Sequence, residues 1–162
     1  MNMQKNRILN INVEFNVTDT ADGGFGGGAT YTHRSSMPDM SSALDPDGSI
    51  HLDRVNDFDT SEYNENVDLA FFLQTPCSGA HSFDVEWATK YAQGMTVDVP
   101  EGGKATEMDV AFDPGQPQVI VIKDKDDDSN TYHYKPAIEL VRPGKDRYKI
   151  GLDPQIVNRP RN

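Results

Sequence analysis

Leu9-Asn10-Ile11-Asn12-Val13-Glu14-Phe15-Asn16-Val17 is the stretch on which the fold reading turns. Apolar and polar residues alternate through it without a break, so a strand here puts five apolar side chains on one face and four polar ones on the other. The same period of two recurs in Phe83/Val85/Trp87, Met95/Val97/Val99, Met108/Val110/Phe112, Tyr132/Tyr134, Ile138/Leu140 and Tyr148/Ile150/Leu152. Leu69-Ala-Phe-Phe-Leu73 and Val119-Ile-Val-Ile122 are continuously apolar and read as central strands packed on both faces, or as strands beneath a loop. Ser49-Ile-His-Leu-Asp53 is a shorter candidate.

Turn signals separate these runs: Asp22-Gly-Gly, Asp47-Gly, Pro100-Glu-Gly-Gly103, Asp113-Pro-Gly115 and Pro143-Gly144. About nine short strands spaced by such turns predict an all-β fold, a single antiparallel β-sandwich of the immunoglobulin-like or cupredoxin-like kind. Helix is scarce: Glu86–Gln93 competes with Trp87 as a strand end, and Pro38–Leu44 suits one turn. Residues 18–48 hold Gly23-Gly-Phe-Gly-Gly-Gly28 and read as a long irregular loop.

At 162 residues the chain suits one domain, 1–162. No run approaches the length of a membrane span, and the N-terminus lacks the continuous apolar core of a secretory signal. Cys77 stands alone, which excludes an internal disulfide and fits a reducing cytoplasm. The net charge is −11, a field that opposes nucleic acid and anionic membrane. That charge is unevenly placed. Residues 1–134 hold 8 Lys/Arg against 23 Asp/Glu, while residues 135–162 hold 7 against 3.

Four constellations invite chemistry. The glycine run lacks the Lys and the following helix of a phosphate loop and reads as a flexible loop, whose open glycines around Phe25 could instead shape a ligand-facing or partner-facing surface. Asp45-Pro-Asp-Gly-Ser-Ile50 resembles the middle of a calcium loop, yet Arg54 occupies the position that needs a bidentate Glu. An irregular calcium site drawing on Asp45, Asp47 and Asp53 is the remaining version of that idea. Lys123-Asp-Lys-Asp-Asp-Asp-Ser-Asn130 reads as the exposed tip of a hairpin, where Asp126 and Asp128 are further calcium candidates. Cys77 and His81 open like a copper site, but the spacing to Met95 and the length of chain after Cys77 do not continue it. A Cys/His nucleophilic pair has no orienting acid by motif. The tyrosines with Trp87 could line a sugar-binding surface, although alternating strand positions favour packing.

The ending is the most distinctive pattern. Tyr148-Lys-Ile-Gly-Leu152 runs into Asp153-Pro-Gln-Ile-Val-Asn-Arg-Pro160. Pro154 ends a ladder because it lacks a donor; Ile156 and Val157 offer apolar anchors, and Arg159 and Arg161 offer charge-assisted contacts to carboxylates. This ending resembles that of the DP-EP family, a bacterial group of small β-sandwich proteins. The resemblance implies an immunoglobulin-like or cupredoxin-like sandwich and carries no catalytic residue. No complete catalytic motif is present, so the chain reads as a non-enzymatic binding or assembly module. The tail either buries Ile156 or Val157 on its own domain or docks on a neighbouring subunit; in the second case Ile156, Val157, Arg159 and Arg161 clasp another protein or a second copy. A calcium-dependent or carbohydrate-binding module is the alternative, with calcium as the one cofactor left open.

Overall fold

The computed structural model describes residues 3–89, 94–104, 106–126, 130–151 and 154–158. The decisive stretch lies in β1 (Lys5–Asp19), where Leu9, Ile11, Val13, Phe15 and Val17 are all buried and the residues between them face outward. Removing each such side chain from water contributes roughly 1.5–3 kcal/mol, enough to fix the strand's register.

The other strands are β2 (Phe25–Met37), β3 (Ile50–His51), β4 (Tyr63–Leu73), β5 (Ser78–Gly79), β6 (Asp84–Trp87), β7 (Met95–Asp98), β8 (Met108–Phe112), β9 (Val119–Asp124), β10 (Thr131–Val141), β11 (Tyr148–Gly151) and β12 (Gln155–Val157). They form two sheets in a sandwich-like, all-β arrangement. The first runs β2-β1-β4-β9-β8, with β5 on β1. The second is built around β10, which pairs β12 and β7 along its first half and β11 and β6 along its second; β3 completes it beyond β12. Phe71 of β4 and Tyr134 of β10 meet between the sheets with ring centroids 5.2 Å apart. The Trp87 indole N–H donates to the Gln118 carbonyl at 2.9 Å, a second bridge. As the apolar runs imply, β4 and β9 are interior to their sheet.

The sheets are mixed rather than purely antiparallel: β1 pairs β4 and β5 in parallel, and β12 pairs β3 in parallel. The expected loop over 18–48 is in large part the edge strand β2, antiparallel to β1 from Asp19↔Phe25 to Ile8↔Met37. Edge placement explains why no apolar alternation marks it, since Tyr31 is its one buried residue. Gly27, at φ 142°, lies so close to β1 that a Cβ there would stand 1.9 Å from the Asn16 carbonyl oxygen. Glu86 and Trp87 belong to β6, not to a helix; residues 90–93 of the candidate helix lie outside the described residues. Ser41–Ala43 does form one turn, a 3-10 helix, as does Leu52–Val55. No described helix is long and apolar enough to cross a membrane.

Residues 119–134 depart most from expectation. β9 and β10 do not form a hairpin, because β9 ends in the first sheet and β10 begins in the second. Of the acidic connection between them, Asp126 is described and turns inward at the end of the first sheet.

Candidate functional site

The predicted calcium loop spends its carboxylates on its own chain. Asp45 pairs with Arg54 at 2.7 Å and with His51 at 3.1 Å, and the Arg54 hydrogen bond holds its carboxyl below the ordinary range. Asp47 accepts the Ser49 backbone N–H at 2.9 Å, which closes the turn. Asp53 lies 3.8 Å from His51.

Asp126 is fully buried rather than exposed. Its carboxylate meets the Arg7 guanidinium at 2.6 Å, and Arg7 is itself fully buried, donating to the Glu65 carbonyl at 2.7 Å and lying 4.1 Å from the Phe58 ring centroid. Asp124 and Glu107 are buried at the same end, and the Asn158 amide donates to Glu107 at 3.3 Å. Burial, and then the neighbouring charges of Asp126 and Glu107, push the Asp124 carboxyl well above the ordinary range. Its Oδ1 accepts the Asp126 N–H at 2.8 Å; its Oδ2 has no hydrogen-bond partner among the described residues. Among those residues, no three Asp, Glu, His or Cys side chains stand in range to hold a metal ion by themselves. Asp128 lies outside the described residues.

The sequence reading missed Arg7, Glu107 and Asp124. Parity could have found two of them: Arg7 continues the inward series of β1 at 7, 9, 11, 13, 15 and 17, and Asp124 continues that of Ile120 and Ile122. Burying a guanidinium calls for a buried carboxylate beside it.

The tail turns on its own molecule. Ile156 is wholly buried opposite Tyr132 and Ile50, Val157 is half-buried opposite Thr131 and His51, and the Asn158 N–H donates to the Asn130 carbonyl at 3.1 Å. Of the two alternatives for the tail, Ile156 takes the first and is buried in the chain's own core. Arg159 and Arg161 lie outside the described residues.

Cys77 is buried and its thiol, pushed up by burial, contacts the His81 carbonyl oxygen at 3.3 Å rather than the imidazole. The ring of His81 points elsewhere, to Asp19 at 2.7 Å. It belongs to a cluster at the end of the sandwich opposite Asp126, where the β1–β2 turn, the segment after β5 and the β10–β11 turn converge.

Phe25 is the hub of that cluster. His81, Phe83 and Tyr148 approach it edge-on with centroids 5.3, 5.4 and 5.2 Å away, and His81 and Phe83 stack at 4.9 Å. All four rings are half-buried. Gly24 lets Tyr148 cross the turn, since a Cβ there would stand 2.6 Å from the Tyr148 hydroxyl. The Arg142 guanidinium lies 5.5 Å from the Phe25 centroid and 5.7 Å from that of Tyr148, and donates from Nε to the Asp146 carbonyl at 3.1 Å. On the outer face of the same β10–β11 hairpin, Glu139, Lys145, Asp146, Arg147 and Lys149 line a groove of about 490 Å³. The sequence pointed to the glycine run and to Tyr148, but Tyr31, Tyr63, Trp87, Tyr132 and Tyr134 are buried and line no surface.

Comparison of the chain with protein-family models and with curated proteins finds no match.

Proposed function

We propose that the protein is a non-enzymatic binding module, one domain of immunoglobulin-like or cupredoxin-like type related to the DP-EP group, working in a reducing compartment. Its ligand docks at the three-turn end around Phe25. The observation that carries this reading is the half-buried aromatic cluster itself. Phe25 with His81, Phe83 and Tyr148 set edge-on around it, and the Arg142 cation and Asp19 carboxylate at their rim, form a preorganised surface on turns set by two rigid sheets. Side chains needed only to close the core would be buried outright, as Phe15 and Val17 are on the neighbouring β1. An NMR screen of the ¹⁵N-labelled protein against a mixed library of saccharides, small metabolites and short peptides tests the reading. Hits should perturb amides in 19–27, 79–84 and 142–148, and Phe25→Ala should abolish them. Hits that map to another face, or a library without hits, would remove it.

A second reading, calcium dependence, is favoured by one observation: the buried Asp124 carboxylate with an unpartnered Oδ2 beside Glu107 and Asp126. Millimolar Ca²⁺ should then raise the melting temperature of the wild type and not of Asp124→Asn; an unchanged wild-type melt ends this reading.

A further inference from the structure

Resting on the binding-module reading, we infer that the end around Phe25 takes a saccharide bearing a single carboxylate, with Arg142 as the carboxylate anchor. Arg7, Arg54 and Arg147 each pair with a carboxylate. Arg34 donates to Asn12 at 3.1 Å and covers Phe72, away from the cluster. Arg142, like Arg34, has no carboxylate partner among the described residues, but it lies against the cluster. In a chain with 26 Asp and Glu, no carboxylate among the described residues pairs with it. Yet its guanidinium is not loose: the Asp146 carbonyl accepts from both Nε and one terminal nitrogen, and two aromatic rings lie beneath it. The remaining N–H groups of a guanidinium held in this way suit a planar carboxylate.

Also against Phe25, the His81 imidazole holds the largely exposed Asp19 carboxylate at 2.7 Å, and the remaining lone pairs of that carboxylate are free to accept from hydroxyl groups. Vicinal hydroxyls of a pyranose can donate to the two oxygens of such a carboxylate, and the C–H face of the sugar matches the neighbouring aromatic rings. Charge decides how acidic the ligand is. A body at −11 repels a polyanion over many ångströms, whereas one carboxylate is attracted at contact range by Arg142. An acidic peptide would meet the full repulsion without using the rings.

Titration of the ¹⁵N-labelled protein with methyl glucuronide and with methyl glucoside tests the inference. The glucuronide should shift amides in 19–27, 79–84 and 142–148 and bind at least about tenfold tighter than the glucoside, a difference of about 1.4 kcal/mol. Arg142→Gln should erase that preference while leaving the spectrum of the fold intact, and Arg34→Gln should not change it. Equal affinity for the two sugars at this end overturns the carboxylate inference and leaves the binding module standing. No shift from either sugar, while other library members still perturb the same amides, overturns the saccharide class. Glucuronide binding that survives Arg142→Gln removes Arg142 as the anchor.

Discussion

At the scale of single residues, Arg7, Asp124 and Asp126 show how the sandwich treats charge. An arginine on the inward face of β1 is tolerable because Asp126, at φ 53°, brings its carboxylate to 2.6 Å; breaking such a buried pair costs about 3–5 kcal/mol. Asp124 stands in the opposite situation, buried beside like charges. In the unfolded chain an Asp ionises near pH 4, while folded Asp124 keeps its proton to higher pH. Between those two values the unfolded state releases a proton that the folded state retains, so stability falls as pH rises and levels off above the folded value. Asp124→Asn keeps an acceptor for the Asp126 N–H and removes the ionisation. In urea unfolding the variant should match the wild type near pH 4 and gain on it toward neutral pH. A constant difference across that range would show that Asp124 is not held protonated.

At the scale of elements, β12 is three residues long yet closes the second sheet between β10 and β3. Its stabilisation comes from Ile156, which fills the core, and from flanking backbone bonds such as Tyr134 N–H to the Pro154 carbonyl at 3.0 Å. Ile156→Ala should lower unfolding free energy by about 2–5 kcal/mol, read from the urea midpoint. Light scattering on the same variant should give an unchanged mass, because the side chain is spent inside the molecule. A mass that falls with the substitution would return the tail to an intermolecular role. β2 presents the contrary case: an edge strand of Gly, Thr and Ser with little burial, held by pairing to β1 and by close glycine contacts rather than by apolar packing.

At the scale of the whole molecule, the two ends of the sandwich have different chemistry. Asp126, Glu107 and Asn158 lie at the end where β1 begins; the aromatic cluster and the cationic β10–β11 hairpin lie where β1 finishes. The sign change along the sequence thus becomes a contribution to one end. Much of the basic excess belongs to Arg142–Lys149 rather than to a free tail, and Arg147 there is already paired with Glu86 and Glu139. A body at −11 limits association between copies as well as polyanion binding. That favours a small ligand, bound locally, over an assembly driven by charge.

Period-two alternation is a local property, and it determined that this chain is all-β and which face of β1 is inward; unbroken apolar runs, equally local, marked Leu69–Leu73 and Val119–Ile122 as interior strands. The Pro at 154, without a backbone donor, likewise marked the break before the ending. Tertiary structure decided the rest. Whether β9 and β10 share a sheet, whether β1 pairs in parallel with β4, and whether an edge strand forms over Phe25–Met37 depend on partners distant in sequence. The same holds for both candidate sites. Arg7 meets Asp126, and Phe25 meets His81 and Tyr148, across separations that leave no spacing to read; only folding brings a charge to the countercharge that makes its burial tolerable, or a ring to the rings that hold it.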